Sequence, residues 1–185
     1  MTKKRNKKIT LIKLTEIARK TIEARLQEKS FVLDEKTKEK YAEIKASFVT
    51  LTIKGKLRGC IGSLDAARAL WKDVQENAIH AAFHDPRFPP VDETEAKNLE
   101  IEVSILSTPE QLHYTDEKDL LKKINKKRGL ILKSGLRTAT FLPQVWKELP
   151  DKVEFLENLA MKAGLHKDAW KHAEFWSYTV KKESE

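Results

Sequence analysis

Apolar residues recur at helical spacing over residues 10–28, at Leu11, Leu14, Ile17, Ala18, Ile22 and Leu26, with Lys, Arg and Glu on the opposite side. Thr10 is placed to cap that helix. After a charged connection the period changes. SFVTLTIKGKLRGCIG (47–62) reads as two strands joined by a tight Lys54-Gly55 turn, where glycine serves a positive φ. ALWKDVQENAIHAAFH (69–84) returns to helical spacing, with a stripe of Leu70, Val74, Ala78, Ala81 and Ala82, and Pro86 stops it. LEIEVSIL (99–106) alternates, with Leu99, Ile101, Val103 and Ile105 on one face and Glu100, Glu102 and Ser104 on the other.

The second half repeats the plan. GLILKSGLRTATFL (129–142) predicts a hairpin turning at Ser134-Gly135, KVEFLENLAMKA (152–163) a helix closed by Gly164, and FWSYTV (175–180) a final strand. An offset of 79 residues sets LTIKGKLR (51–58) on LILKSGLR (130–137) and pairs Cys60 with Ala139, Gly59 with Thr138 and Gly62 with Phe141. Element order and strand polarity agree with that alignment. The pattern predicts an α+β fold made of a duplicated ββαβ unit, about 46–107 and about 128–181, forming a mixed sheet with helices packed on it, in one body or two lobes. Residues 10–182 make the domain and residues 1–9 a disordered basic tail.

Composition narrows the setting. A chain of 185 residues that is 40% apolar can bury a core, and no apolar run approaches the roughly 20 residues that span a bilayer. With no secretory leader pattern and one cysteine, the expected compartment is the cytoplasm. The net charge of +8 suggests nucleic acid until it is located. Lys3, Lys4, Arg5, Lys7 and Lys8 sit in the tail, and Lys122, Lys123, Lys126, Lys127 and Arg128 close a short helix, where cations suit the dipole. Neither run interleaves aromatics with its basic residues, so a solvated surface is the better reading than nucleic-acid binding.

The candidate chemistry centres on Gly59-Cys60-Ile61-Gly62. Two glycines weaken a strand, and such glycines mark a bulge or the close approach of a ligand or another backbone. Alternation puts Arg58, Cys60 and Gly62 on one face, and a guanidinium beside a thiol favours the thiolate. Cys60 is then a nucleophile or redox thiol, or else a small packing residue. His84, followed by Asp85, is the candidate base for it, with Asp85 as orienting acid. His80 and His84 stand four residues apart and could join Cys60 in a zinc site, but the glutamate of HExxH is absent and solvated or capping histidines are favoured; no cofactor is expected. The loop HDPRFPP (84–90), stiffened by Pro86, Pro89 and Pro90, presents Arg87 either to an anionic group or to a neighbouring Asp. Glu102 joins the group if its strand is adjacent, Gly59 and Gly62 would let a ligand come close, and Gln144 could bond a ligand or the backbone near Pro143.

Four segments carry a family resemblance: LRGCIG (57–62), AAFHDPRFPP (81–90), LEIEVSILS (99–107) and ATFLPQVW (139–146). In this order, and across about residues 10–182, the chain resembles the AMMECR family, named after a human chromosomal region of Alport syndrome, midface hypoplasia and elliptocytosis. LRGCIG is that family's hallmark, and the lysine-rich N-terminal tail is not part of its pattern. The resemblance implies an α+β fold with a duplicated core and a biochemical activity that is unsettled. It also implies partners, since prokaryotic relatives occur beside or fused to a MEMO-type domain similar to extradiol dioxygenases, and with a radical-SAM protein. A step in a small-molecule or modification pathway is the expectation, with a non-catalytic protein- or ligand-binding module as the alternative.

Overall fold

The computed structural model describes residues 12–185, so the expected cap Thr10, the stripe residue Leu11 and the basic tail lie outside the described residues. In chain order the elements are helix α1 (Leu14–Leu26), helix α2 (Glu35–Lys40), strands β1 (Ser47–Ile53) and β2 (Lys56–Gly62), helices α3 (Leu70–Phe83) and α4 (Glu93–Ala96), strands β3 (Glu100–Leu106) and β4 (Glu110–Leu112), helix α5 (Glu117–Lys123), strands β5 (Gly129–Ser134) and β6 (Arg137–Phe141), helix α6 (Lys152–Lys162), and strands β7 (Glu174–Tyr178) and β8 (Val180–Ser184). Short 3-10 helices at Pro143–Lys147 and Lys167–His172 flank α6. α1 opens at Lys13 with no side-chain cap.

The chain divides into two compact units, one running to Ile105 and taking in Lys182–Glu185, the other Leu106–Lys181. The fold is α+β as expected, and of the two arrangements left open the strands form two four-stranded sheets, in the orders β2-β1-β3-β8 and β4-β7-β5-β6, rather than one shared sheet. The pairs β1–β2, β1–β3, β5–β6, β5–β7 and β4–β7 are antiparallel. The repeat is therefore visible in topology: each hairpin's first strand is central, flanked by its hairpin partner and by the strand after the helix. Each sheet's fourth strand is supplied by the chain that has just left the other sheet, β4 following β3 and β8 following β7.

In the first unit Leu14, Ile17, Ala18 and Ile22 of α1 and Leu70, Val74, Ala78, Ala81 and Ala82 of α3 bury their stripes together with Val49, Leu51, Ile101 and Val103. In the second, Phe155, Leu156, Leu159 and Ala160 of α6 join Leu130, Leu132, Trp146, Trp170 and Phe175. The stripe periodicity of the helices and the period of two in the strands each deliver one apolar face to these cores. Gly164, at φ +73, follows the last turn of α6 as expected of a residue closing a helix.

The two hairpins turn differently. Lys54 (φ 51) and Gly55 (φ 72) both take positive φ, the type I′ pattern. The second turn is Gly135-Leu136, one residue later than expected, since Ser134 still pairs with Arg137 and Gly135 (φ 57) is the first central residue. Lys54 therefore holds a left-handed conformation that a long side chain disfavours. Lys54→Asn, which creates the preferred Asn-Gly pair, is expected to add about 0.5 kcal/mol, read as a higher urea midpoint with an unchanged slope.

The register also corrects the internal alignment. Leu57 pairs with Thr52 but Gly59 pairs with Leu51, so Arg58 is an extra residue in a bulge. Counted from the turns through that bulge, Gly59 corresponds to Ala139 and Cys60 to Thr140, not to Thr138 and Ala139. Gly62, set against Phe141 by the offset, falls one position past it. The second unit thus has a hydroxyl where the alignment set a methyl group.

Candidate functional site

The bulge separates Arg58 from Cys60. Gly59 pairs with Leu51 on the face that meets the helices, while Cys60 pairs with Thr50 on the other face, and its Sγ lies 3.3 Å from Thr50 Oγ1. The expected shared face is lost because one inserted residue shifts the alternation. Arg58 turns away from the thiol. Its Nε and Nη2 donate to Glu95 at 2.8 and 2.7 Å, and Nη2 also donates to the Pro89 carbonyl at 2.9 Å. This fork holds the Arg58 guanidinium charged and lowers the Glu95 carboxyl below its ordinary range.

The cation beside Cys60 is Arg87. Buried Asp85 accepts the Cys60 N–H through Oδ2 at 2.9 Å and the Arg87 N–H through Oδ1 at 3.1 Å. Arg87 closes the ring, donating from Nε and Nη2 to Asp85 at 2.9 and 2.7 Å and from Nη2 to the Cys60 carbonyl at 3.2 Å. Hydrogen bonding to Arg87 is the chief reason the Asp85 carboxyl lies far below its ordinary range, with the Cys60 N–H assisting against the burial that opposes it. The outward N–H and C=O of Cys60, on an edge strand, thus meet a side-chain pair where a neighbouring strand would sit. The second unit has a counterpart: Lys162, at the end of its own helix, donates to the carbonyl of Thr140 at 2.9 Å.

Asp85 therefore does not orient His84. The exposed His84 imidazole stands edge-on to His80, with ring centroids 5.7 Å apart, at the C-terminal cap of α3. Both oxygens of Asp85 are committed to Cys60 and Arg87, and the expected Cys60–His84–Asp85 relay is not assembled. The Cys60–His80–His84 zinc arrangement is not assembled either; among the described residues no group of three or more His, Cys, Asp or Glu is disposed to hold a metal ion. Glu102 does share the face of Cys60, one strand beyond Thr50, where Lys182 donates to it at 2.7 Å. An open groove of about 320 Å³ runs along this face, lined by Thr50, Thr52, Glu100, Glu102, Ser184 and Glu185 among others. Gln144 is exposed in the 3-10 helix Pro143–Lys147 of the second unit.

The glycines answer to the chain's own atoms. A Cβ on Gly59 would stand 2.1 Å from the Ala81 carbonyl oxygen, and one on Gly62 would stand 2.4 Å from the Ser47 oxygen and 2.3 Å from the Phe48 ring. The close approach signalled by these residues is that of α3 and β1. Glu95 and Thr50 were not legible as site residues. Glu95 lies in an acidic surface stretch, and counting back from the turn without the bulge sets Thr50 opposite Gly59.

A family model for AMMECR1 matches residues 15–183 of this chain, and the bulged LRGCIG strand and its partner loop lie inside the match. The chain belongs to the AMMECR1 family. Among its AMMECR1 relatives, Protein NEQ441 of Nanoarchaeum equitans is 38% identical over 160 residues, covering 85% of this chain and 89% of that protein. Protein MJ0810 of Methanocaldococcus jannaschii is 42% identical over 157 residues, covering 83% and 78%. The crystal structure of the uncharacterized protein PH0010 from Pyrococcus horikoshii superposes with a TM-score of 0.84 at 34% identity, covering 93% of this chain and 89% of that one. No helix among the described residues is long and apolar enough to cross a membrane.

Proposed function

We propose that this AMMECR1-family chain is a binding module whose recognition surface is β2 with the loop 84–90, and that Cys60 serves its architecture more than any reaction. One observation carries the reading: the Asp85–Arg87 pair ties the loop to both backbone groups of Cys60, leaving the Arg87 side chain 52% exposed on a rigid mount. The residues a thiol reaction would draw on are committed elsewhere, Arg58 to Glu95 and His84 to solvent and His80. Gly59 and Gly62 let the helix and the first strand pack closely, and Gln144 belongs to the second unit. The partner classes implied by the family resemblance, a MEMO-type or radical-SAM protein or a small ligand, all suit such a surface.

A second reading has its own observation. The thiol of Cys60 is half-buried beside the Thr50 hydroxyl, and Arg87 donates to the carbonyl of the same residue, so a small-molecule or modification enzyme would use Arg87 where Arg58 was expected. Alkylation separates the two. Under the binding reading, iodoacetamide labels Cys60 at pH 7 no faster than it labels N-acetylcysteine. Labelling about tenfold faster or more would overturn that reading and restore thiol chemistry.

A further inference from the structure

β8 is the least anchored strand of its sheet. Strand β1 buries Val49 and Leu51 and β3 buries Ile101 and Val103, whereas in β8 Val180 and Glu183 are half-buried and Lys181, Lys182 and Ser184 are exposed. Charged side chains hold it instead. The Glu185 carboxylate accepts from Arg19 Nε at 2.7 Å, from Arg19 Nη2, and from the Ile101 N–H at 3.2 Å. The Glu183 carboxylate accepts the Thr15 N–H at 3.0 Å, and Lys182 donates to Glu102 at 2.7 Å. Thr15 is the second residue of α1, the helix that opens at Lys13 with no side-chain cap. Glu183, 168 residues away along the chain, thus supplies the acceptor that a helix start requires and a negative charge at its positive end.

We infer that residues 182–185 form a detachable strap, a carboxylate latch that closes on α1 and the edge of β3 and releases as one piece while the rest of the sheet stays folded. The kind of contact that holds it is the reason. Buried apolar area fixes β1 and β3 and is lost only with the core, whereas exposed ion pairs are individually weak and are screened by salt. Segments with few buried apolar contacts are the ones that open below the free energy of global unfolding. Arg19 keeps its place when the strap leaves, since it also donates to the carbonyls of Ala96 and Leu99 at 3.3 and 2.6 Å. A fixed cation therefore receives the returning carboxylate. The strap also borders the groove on the Cys60 face: Ser184 and Glu185 line it, and Lys182 occupies Glu102. Release takes those residues out of the groove and frees Glu102. It also uncovers the Ile101 N–H and C=O, which Glu185 covers with its carboxylate and its own N–H. An uncovered strand edge pairs with another extended segment, so the strap governs whether this sheet is open to one. That gating is independent of how Cys60 is used.

Native-state hydrogen exchange of the full chain, read residue by residue by NMR, tests it. After correction for intrinsic rates, the Thr15 and Ile101 amides are expected to exchange at least about tenfold faster than the paired amides of β1, and to agree with each other within about threefold. Both should speed up as sodium chloride rises from about 0.05 M to about 0.5 M, while β1 does not. Glu185→Ala, at an exposed position, should speed exchange about tenfold at Ile101 and equally at Thr15, which bonds Glu183 instead. That shared response is what a single latch produces and separate contacts do not. Thr15 unchanged in Glu185→Ala, Ile101 far faster than Thr15 as in fraying from one end, both amides as slow as β1, or β1 accelerating along with them would each overturn the strap.

Discussion

Substituting Gly59 with alanine is expected to be among the most damaging single changes in this chain, lowering stability by about 3 kcal/mol or more. The added Cβ meets the carbonyl oxygen of Ala81 at 2.1 Å, and a backbone atom in a buried helix cannot turn aside as a side-chain tip would. β2 would have to lift from α3, and every residue registered through the bulge would lift with it. In a chain of this length the loss corresponds to a fall of about 10 °C in the melting temperature, measurable by calorimetry. Gly55→Ala is the control: it carries the strain of φ +72 but meets nothing within 4 Å, so about 1 kcal/mol is expected. A Gly59→Ala protein that melts with the wild type would show that the contact relaxes freely and that the glycine is not required for packing.

Asp85→Ala should cost about 1–2 kcal/mol at pH 7, the loss of a buried acceptor, with little added by the half-exposed Arg87. It strips the Cys60 N–H of its acceptor and leaves the Arg87 guanidinium beside the strand without its carboxylate. The more informative variant is Asp85→Asn, studied against pH. The folded-state pKa of Asp85 is lowered, chiefly by Arg87, so its contribution is complete above the unfolded value of about 4 and drains away as pH falls beneath that value toward the lower folded one. Urea unfolding at pH 7 and pH 3 should show the wild type losing more stability on acidification than Asp85→Asn does. Equal losses would mean that Arg87 gives the carboxylate nothing in solution.

Periodicity found the hairpins, α3, α6 and the repeat, because each buries one face and repeats it at the spacing of its backbone. Lys54-Gly55 was readable as a turn because glycine is informative there, and the second turn slipped by one because Ser134-Gly135 looks as turn-like as Gly135-Leu136. The inserted Arg58 could not be read at all. A bulge changes no residue type, yet it moves Cys60 off the face of Arg58 and against Thr50. Asp85 was expected to orient His84 and instead accepts from the Cys60 amide, since sequence order shows that His84 adjoins Asp85 and not that Asp85 faces a backbone N–H. Glu95 stayed invisible because an ion pair between residues 37 apart leaves no local trace.

The trailing strands carry a consequence for ancestry and for cutting the chain apart. Since β4 follows the first repeat yet pairs with β7, and β8 follows the second yet lies beside β3, neither repeat is a self-sufficient module when excised. A half-length forebear holding one repeat and its tail would have completed its sheet by swapping tails with a twin, at a concentration-dependent cost. Joining such twins head to tail would make that exchange intramolecular, and a fragment severed between β3 and β4 would again depend on meeting its other half.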